Sequence, residues 1–141
     1  MKVGFDLDGT LDRPQIATLA KQLLATGVEV HIISGVFPES GNWQGSIAKW
    51  DKLARIGIHA ISPENDYRTE RNCANCNYAT LHILTAMADT YSRDYRLADL
   101  GLRKGALCDE LGIDIFIDDS DIYCEMIPKM SGSTSVLHVR N

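Results

Sequence analysis

Short apolar runs that end abruptly in polar residues recur along this chain, and segments with a helical apolar stripe separate them. The first run, at 2–5, is followed by a stripe that begins near Pro14 and stops at Gly27, and a second run follows at 28–33. The order strand, helix, strand implies a parallel pair joined by a right-handed crossover. Near-continuous apolar runs are typical of strands that are buried on both faces of a sheet.

The same alternation continues towards the end of the chain. A helix at 46–56 precedes a short third strand at 58–61, a helix at 104–111 precedes a fourth strand at 113–117, and a fifth strand follows at 135–139. We therefore predict an α/β fold: a doubly wound, Rossmann-like, parallel five-stranded sheet with helices on both faces. Strands two and three should lie on one side of strand one, and strands four and five on the other.

The stretch at about 63–103 does not continue this alternation. Its apolar spacing predicts a further helix with one apolar stripe, formed by Leu81, Leu84, Ala88 and Tyr91. About forty residues rarely bury an adequate core alone, so we expect an inserted segment on the edge of the sheet. At 141 residues the chain is too short for two full-sized domains, and the prediction is a single domain.

The composition excludes some classes of function. The chain is 45% hydrophobic and 23% charged, as is ordinary for a soluble domain, and its net charge of -5 disfavours sequence-independent binding to nucleic-acid backbones. No apolar run approaches the roughly 20 residues of a membrane span, and Asp6 interrupts the first run before a signal region develops. We therefore expect a cytoplasmic protein with no membrane partner.

Acidic residues follow two of the predicted strands. Asp6 and Asp8 are two positions apart at the end of strand one, so both carboxylates can converge there, and Asp118 and Asp119 end strand four. In a doubly wound sheet the carboxyl ends of the strands border the ligand crevice where the winding reverses. Carboxylates gathered there repel one another, and the usual remedies are a bound cation or a raised pKa on one of the carboxyl groups. A hard divalent cation with oxygen ligands would meet this demand. The pattern predicts a metal site.

Two further signals are weaker on their own. Ser34 and Gly35 follow the second strand, where a hydroxyl and backbone N–H groups can hold an anion, although an ordinary loop serine gives the same pattern. Lys104 is predicted to open the helix before strand four. A cation gains nothing from the helix dipole at that end, so this lysine either answers the acids or is an ordinary surface residue.

Taken in order, Asp-Leu-Asp-Gly-Thr at 6–10, Ser34, Lys104 and the pair Asp118-Asp119 resemble the four signature motifs of the haloacid dehalogenase (HAD) superfamily. The first motif is highly specific, and the serine and lysine gain weight because they fall at the family's places. The resemblance covers roughly residues 1–62 and 103–139, which is the regular α/β framework.

The resemblance implies a role for each of these residues. Asp6 would be the nucleophile that forms an aspartyl-phosphate, and Asp8 the general acid and base. Ser34, Gly35 and Lys104 would bind the transferring phosphoryl group. These roles imply a hydrolase.

The resemblance also implies magnesium. The ion would be bound by the side chain of Asp6, the main-chain carbonyl of Asp8 and an acid from strand four. Alignment with the family's common form places Asp119 at the ligand position, and Asp118 then either shares the ion or lies behind it.

The reaction that the resemblance implies is that of a magnesium-dependent phosphatase acting on a small phosphomonoester, with nucleotides among the candidates. The chain resembles capless or minimally capped members, whose open sites tend to accept bulky substrates or to borrow a neighbouring subunit as a lid, so a homo-oligomer stays open. Two alternatives remain: a polynucleotide end phosphatase, which the acidic balance disfavours, and a non-catalytic binding module with the same fold.

Cys73 and Cys76 form half of a typical structural zinc site, which needs four nitrogen or sulfur ligands. No second tight pair of ligands follows in the sequence. A zinc ion at Cys73 and Cys76 is therefore the less favoured interpretation, and reduced thiols in a reducing compartment are the simpler one.

Overall fold

A computed structural model of the chain describes residues 1–40, 42–63 and 77–140. Within these ranges the strands are β1 (Lys2–Phe5), β2 (Glu29–Val36), β3 (Ala60–Ile61), β4 (Ala79–Thr85), β5 (Ile115–Asp118) and β6 (Ser135–His138). The helices are α1 (Pro14–Ala25), α2 (Asn42–Ile56), α3 (Arg93–Leu111) and α4 (Asp121–Met130).

The described strands form one parallel sheet in the order β3-β4-β2-β1-β5-β6. The predicted α/β class with a doubly wound parallel sheet is confirmed, and the winding reverses at β1 as expected. The sheet has six strands rather than the predicted five.

The additional strand is β4, at a place where the apolar spacing predicted a helix. It pairs with β2 from His31 opposite Thr80 to Val36 opposite Thr85. Ala79 and Leu81 are buried on one face of the sheet, so the period of two that suits a strand prevails over the helical spacing. The helix predicted from Leu81 onwards is therefore wrong.

Pairing with β4 also extends β2 beyond its predicted end at residue 33. Ser34 lies opposite Ile83 and Gly35 opposite Leu84, so both residues belong to the strand and not to a loop after it. The prediction that Ser34 and Gly35 follow the strand is wrong by three residues, because β4 supplies pairing that the sequence pattern did not reveal.

Helix α3 begins eleven residues before the predicted start at Lys104. Ser92 caps it by accepting a hydrogen bond from the Tyr95 N–H at 3.2 Å, and Gly112 ends it with φ of 73°. Lys104 therefore lies within the helix, and the argument from a helix start does not apply to it. Helix α4, which the sequence analysis did not predict, is capped in the same way by Ser120.

The two faces of the sheet have separate cores. Ile32 packs with Leu53 of α2 and with α1, whereas the next residue, Ile33, packs with Cys108 of α3 and Ile127 of α4. Successive residues of a strand point to opposite faces. Helices α1 and α2 thus cover one face, and α3 and α4 cover the other.

Two glycines bring α3 and α4 close together. A Cβ atom on Gly101 would lie 2.7 Å from the Cβ of Met126, and one on Gly105 would lie 2.6 Å from the carbonyl oxygen of Ile127. Gly101 and Gly105 flank Lys104 along α3, so the close approach fixes the helix that carries this lysine.

Among the described residues, no helix combines the length and apolar character that crossing a membrane requires. A cytoplasmic location stays a prediction.

Candidate metal and anion site

The chain leaves β1 through a tight turn over Leu7–Leu11. The Asp6 N–H still donates to the carbonyl of Ile117 on β5 at 2.9 Å, and Gly9 then adopts a φ of 80°. A Cβ atom on Gly9 would collide with the Asp119 carboxylate. A glycine at this position therefore allows both the left-handed turn and the close approach of β1 to the residues after β5.

Lys104 joins two of the acids at this edge of the sheet. Its Nζ lies 2.7 Å from Oδ1 of Asp6 and 3.4 Å from Oδ2 of Asp118, and the side chain of Lys104 is fully buried. The Tyr123 ring of α4 covers the ammonium at 4.0 Å from the ring centre. The Ser120 N–H donates to Oδ1 of Asp118 at 3.0 Å, so both carboxylates are held in fixed orientations.

Asp119 completes a cluster with these two acids. Its Oδ1 accepts a hydrogen bond from the Thr10 hydroxyl at 3.1 Å. One carboxylate oxygen from each of Asp6, Asp118 and Asp119 lies within 4.8 Å of the others. Oxygen ligands gathered in this way are what magnesium and calcium prefer.

The charges of this cluster do not balance. Burial raises the pKa of Asp6 to about 7 even though Lys104 opposes the shift, and Asp118 and Asp119 raise it further. Burial likewise raises the pKa of Asp118. Although burial alone would lower the pKa of Lys104, Asp6 and Asp118 raise it well above the usual value, so the lysine stays charged. Three carboxylates thus share one ammonium, and this donor set fits a divalent cation.

Asp8 does not join the cluster. Its two carboxylate oxygens accept hydrogen bonds from Lys49 and Lys52 of α2, each at 2.6 Å, and Lys52 also contacts Asp12 at 3.1 Å. Partial burial acts to raise the pKa of Asp8, but the hydrogen bonds from Lys49 and Lys52 outweigh it, and the pKa is lowered. The sequence predicted that four carboxylates would meet; the structure brings three together and turns the fourth towards α2.

A cavity of about 410 Å³ opens beside Asp8. Gly35 lies on its wall, whereas Ser34, the adjacent residue of β2, is 1% exposed. The cationic side chains on the wall were not singled out from the sequence, because lysines of an amphipathic helix are ordinarily solvated. Their spacing of three residues was the one signal available. The charged residues of the wall are Asp8, Lys49, Lys52 and Arg55.

Cys73 and Cys76 lie outside the described residues, and so does the zinc site that the sequence disfavoured there.

Comparisons with known proteins give little support for a family. No protein-family model and no curated protein matches the sequence. Among solved structures, a universal stress protein in complex with cAMP matches with 12% sequence identity and a TM-score of 0.47, over 99% of this chain and 98% of that chain.

The predicted membership of the haloacid dehalogenase superfamily is corrected: no protein-family model matches the chain, and a solved structure that does match is a universal stress protein. The predictions of a phosphatase, of a hydrolase with an aspartyl-phosphate intermediate, of a polynucleotide end phosphatase and of a binding module of that superfamily are corrected with it. Doubly wound sheets bind ligands at the carboxyl ends of their strands in proteins of many different functions, so acids at that edge do not by themselves fix a reaction. In addition, a general acid needs a raised pKa, whereas that of Asp8 is lowered.

Proposed function

We propose that this chain binds a divalent cation, magnesium, together with a small phosphorylated ligand at the carboxyl edge of its sheet. The carboxylates of Asp6, Asp118 and Asp119 would hold the cation, with the main-chain carbonyl of Asp8 as a further oxygen ligand. When bound, the cation would supply positive charge to which a phosphate oxygen of the ligand coordinates.

The observation that carries the proposal is the charge imbalance around Lys104. Three carboxylate oxygens lie within 4.8 Å of one another, and two of the acids are almost completely buried. One ammonium compensates part of this charge, while burial, followed by the charges of Asp118 and Asp119, raises the pKa of Asp6. A divalent cation bound to the three carboxylates would reduce their mutual repulsion.

The protein groups have distinct tasks in this proposal. Lys104 is too deeply buried to reach far from the acids, so it holds Asp6 and Asp118 in the orientation that a cation needs. The Thr10 hydroxyl does the same for Asp119. Ser34 and Gly35 lie on the neighbouring strand β2, where Gly35 lines the cavity beside Asp8 and Ser34 is buried.

Calorimetric titration with magnesium chloride tests the cation site. We expect Asp119→Asn to weaken magnesium binding by at least about tenfold, since it removes one charged ligand. Asp121→Asn is the matched control, because the Asp121 side chain is 87% exposed and lies two residues away. Equal affinities for magnesium in the two variants would overturn the proposed site.

The ligand is tested with pairs of compounds that differ by one phosphate. We expect adenosine monophosphate and glucose 6-phosphate to bind in the presence of magnesium, and adenosine and glucose not to bind. Replacement of magnesium by a chelator should abolish binding of the phosphorylated compounds or weaken it strongly. Equal affinities for the phosphorylated and unphosphorylated compounds, unchanged by the chelator, would contradict the proposal.

A further inference from the structure

The cavity beside Asp8 provides a cationic environment that is separate from the acidic cluster of Asp6, Asp118 and Asp119. We infer that it binds a second anionic group, so that the ligand is a small molecule with two such groups, as in a sugar bisphosphate. This inference rests on the proposed function, because it takes the cation site and the cavity to serve one ligand. Asp8 lines the cavity and follows Asp6 by two residues, a chain distance of at most about 7 Å.

The charge of the cavity wall is opposite to that of the whole chain. On the wall, Lys49, Lys52 and Arg55 contribute three positive charges against the one negative charge of Asp8, and Asp12, which is not part of the wall, also contacts Lys52 at 3.1 Å. The chain as a whole carries a net charge of -5. A cationic wall in an acidic protein attracts a small anion to this place in preference to the rest of the surface.

Lys49 strengthens this assignment because its side chain is 9% exposed. A lysine is rarely buried to this extent without an anionic partner, and here the partner is the Asp8 carboxylate at 2.6 Å. Asp8 thus occupies the position that an external carboxylate or phosphate would take. The carboxylate is a competitor built into the site, and a ligand anion must share the lysines with it or displace it.

The cavity also suits the carbon skeleton of such a ligand. Its volume of about 410 Å³ lies within the usual range for small-molecule sites, about 300–1,000 Å³. Phe37 forms an apolar part of the wall, and its ring is fixed by the Arg96 guanidinium at 4.7 Å and that of Arg93 at 5.4 Å. A rigid aromatic wall next to cations fits a short polar chain with an anionic end.

The test compares fructose 1,6-bisphosphate with fructose 6-phosphate by calorimetry. We expect the bisphosphate to bind at least about tenfold more tightly to the unaltered chain, since charge-assisted hydrogen bonds are the strong ones. The ratio should fall close to one in Lys52→Met and in the double variant Lys49→Met/Lys52→Met. Lys129→Met, which removes an exposed lysine from α4, is the control and should keep the ratio.

The direction of the change in affinity in Asp8→Asn distinguishes the inference from its alternatives. Because the substitution removes the carboxylate that competes for the lysines, the bisphosphate should bind several-fold more tightly to the Asp8→Asn variant than to the unaltered chain. We expect Lys52→Met to fold, because the Lys52 side chain is 28% exposed and its loss leaves Lys49 paired with Asp8. The test therefore does not depend on the double variant alone. Equal binding of the two sugars by the unaltered chain, or a ratio unchanged in Lys52→Met, would overturn the inference.

The two proposals fail in different ways. If magnesium binds and Asp119→Asn weakens it, but the bisphosphate has no advantage, the cavity inference alone fails. If magnesium does not bind, the proposed function fails, while a lysine-dependent advantage of the bisphosphate measured in chelator would still support an anion subsite in the cavity.

Discussion

Lys104 and Asp6 are 98 positions apart in the sequence, and 2.7 Å separates Nζ of the lysine from Oδ1 of the aspartate. The contact joins the middle of α3 to the end of β1, and it is buried on both sides. The acidic cluster therefore depends on a cation that arrives from a distant part of the chain. Removal of the Lys104 ammonium should lower the free energy of unfolding.

Lys104→Met should destabilise the fold by about 3 kcal/mol, because loss of one partner leaves buried carboxylates without compensation. Urea denaturation at neutral pH measures the change. Saturating magnesium should recover part of the loss if the cation binds the same acids. Lys129→Met is the control, and a loss of less than about 1 kcal/mol in Lys104→Met would show that the ion pair is not required for stability.

Gly9→Ala and Gly27→Ala form a matched pair. Both glycines have a positive φ, of 80° and 83°, so alanine costs about 1–2 kcal/mol of backbone strain at either position. Nothing lies within 4 Å of a Cβ atom on Gly27, whereas one on Gly9 would collide with Asp119. Magnesium titration should therefore show weaker binding in Gly9→Ala alone. Similar affinities in both variants would mean that the close approach to Asp119 does not position this carboxylate.

Gly105→Ala should separate α3 from α4 and destabilise the fold by about 1–3 kcal/mol, because the new methyl would lie 2.6 Å from the backbone oxygen of Ile127. Thermal denaturation followed by circular dichroism measures it. Gly132→Ala meets nothing within 4 Å and is the control. A melting temperature of Gly105→Ala that equals that of Gly132→Ala would contradict the tight packing.

His82 should make stability depend on pH. Burial, and then the neighbouring His31, lower the pKa of His82 from 6.5 to about 4. The unfolded chain then binds a proton that the folded chain does not, so the free energy of unfolding contributed by this residue falls as the pH drops below about 6.5 and levels off below about 4. His31 donates to or accepts from His82 at 2.9 Å and contacts Glu29 at 2.7 Å.

The measurement compares His82→Gln with the unaltered chain in urea between pH 7 and pH 4.5. Because other groups titrate in both proteins, the difference between the two curves isolates His82. We expect the unaltered chain to lose more stability than the variant as the pH falls. Parallel curves would show that His82 titrates normally in the folded state.

The neighbourhood of Asp6 and Asp118 was predictable from the order of elements alone. Both residues directly follow apolar runs, and the carboxyl ends of parallel strands meet at one edge of the sheet. A right-handed crossover then makes β1 and β5 neighbours at the reversal of winding. No long-range information beyond this topology was needed to place these two acids together.

Strand β4 was not predictable in the same way. Its residues Leu81 and Leu84 are three apart, as on a helix, and a short apolar run fits either structure until its pairing partner is known. That partner is β2, whose residues lie about fifty positions earlier. Because β4 was missed, the end of β2 and the place of Ser34 were misjudged as well.

The cationic wall of the cavity was not predicted from the sequence for a similar reason. Lysines of an amphipathic helix are ordinarily solvated, whereas Lys49 of α2 is buried. Asp8, the partner of Lys49 and Lys52, is about forty positions away and was assigned to the metal cluster. The pairing of Asp8 with Lys49 and Lys52 becomes visible only once the position of α2 beside the turn after β1 is known.

Asp6 and Asp8 bind helices on opposite faces of the sheet, the first through Lys104 of α3 and the second through Lys49 of α2. Residues 6–8 connect the two faces directly after the carboxyl end of β1. An anion that drew the lysines away from Asp8 would release a restraint on the backbone that follows Asp6. The two proposed binding events would then be coupled, and the affinity measured for one would depend on the occupancy of the other.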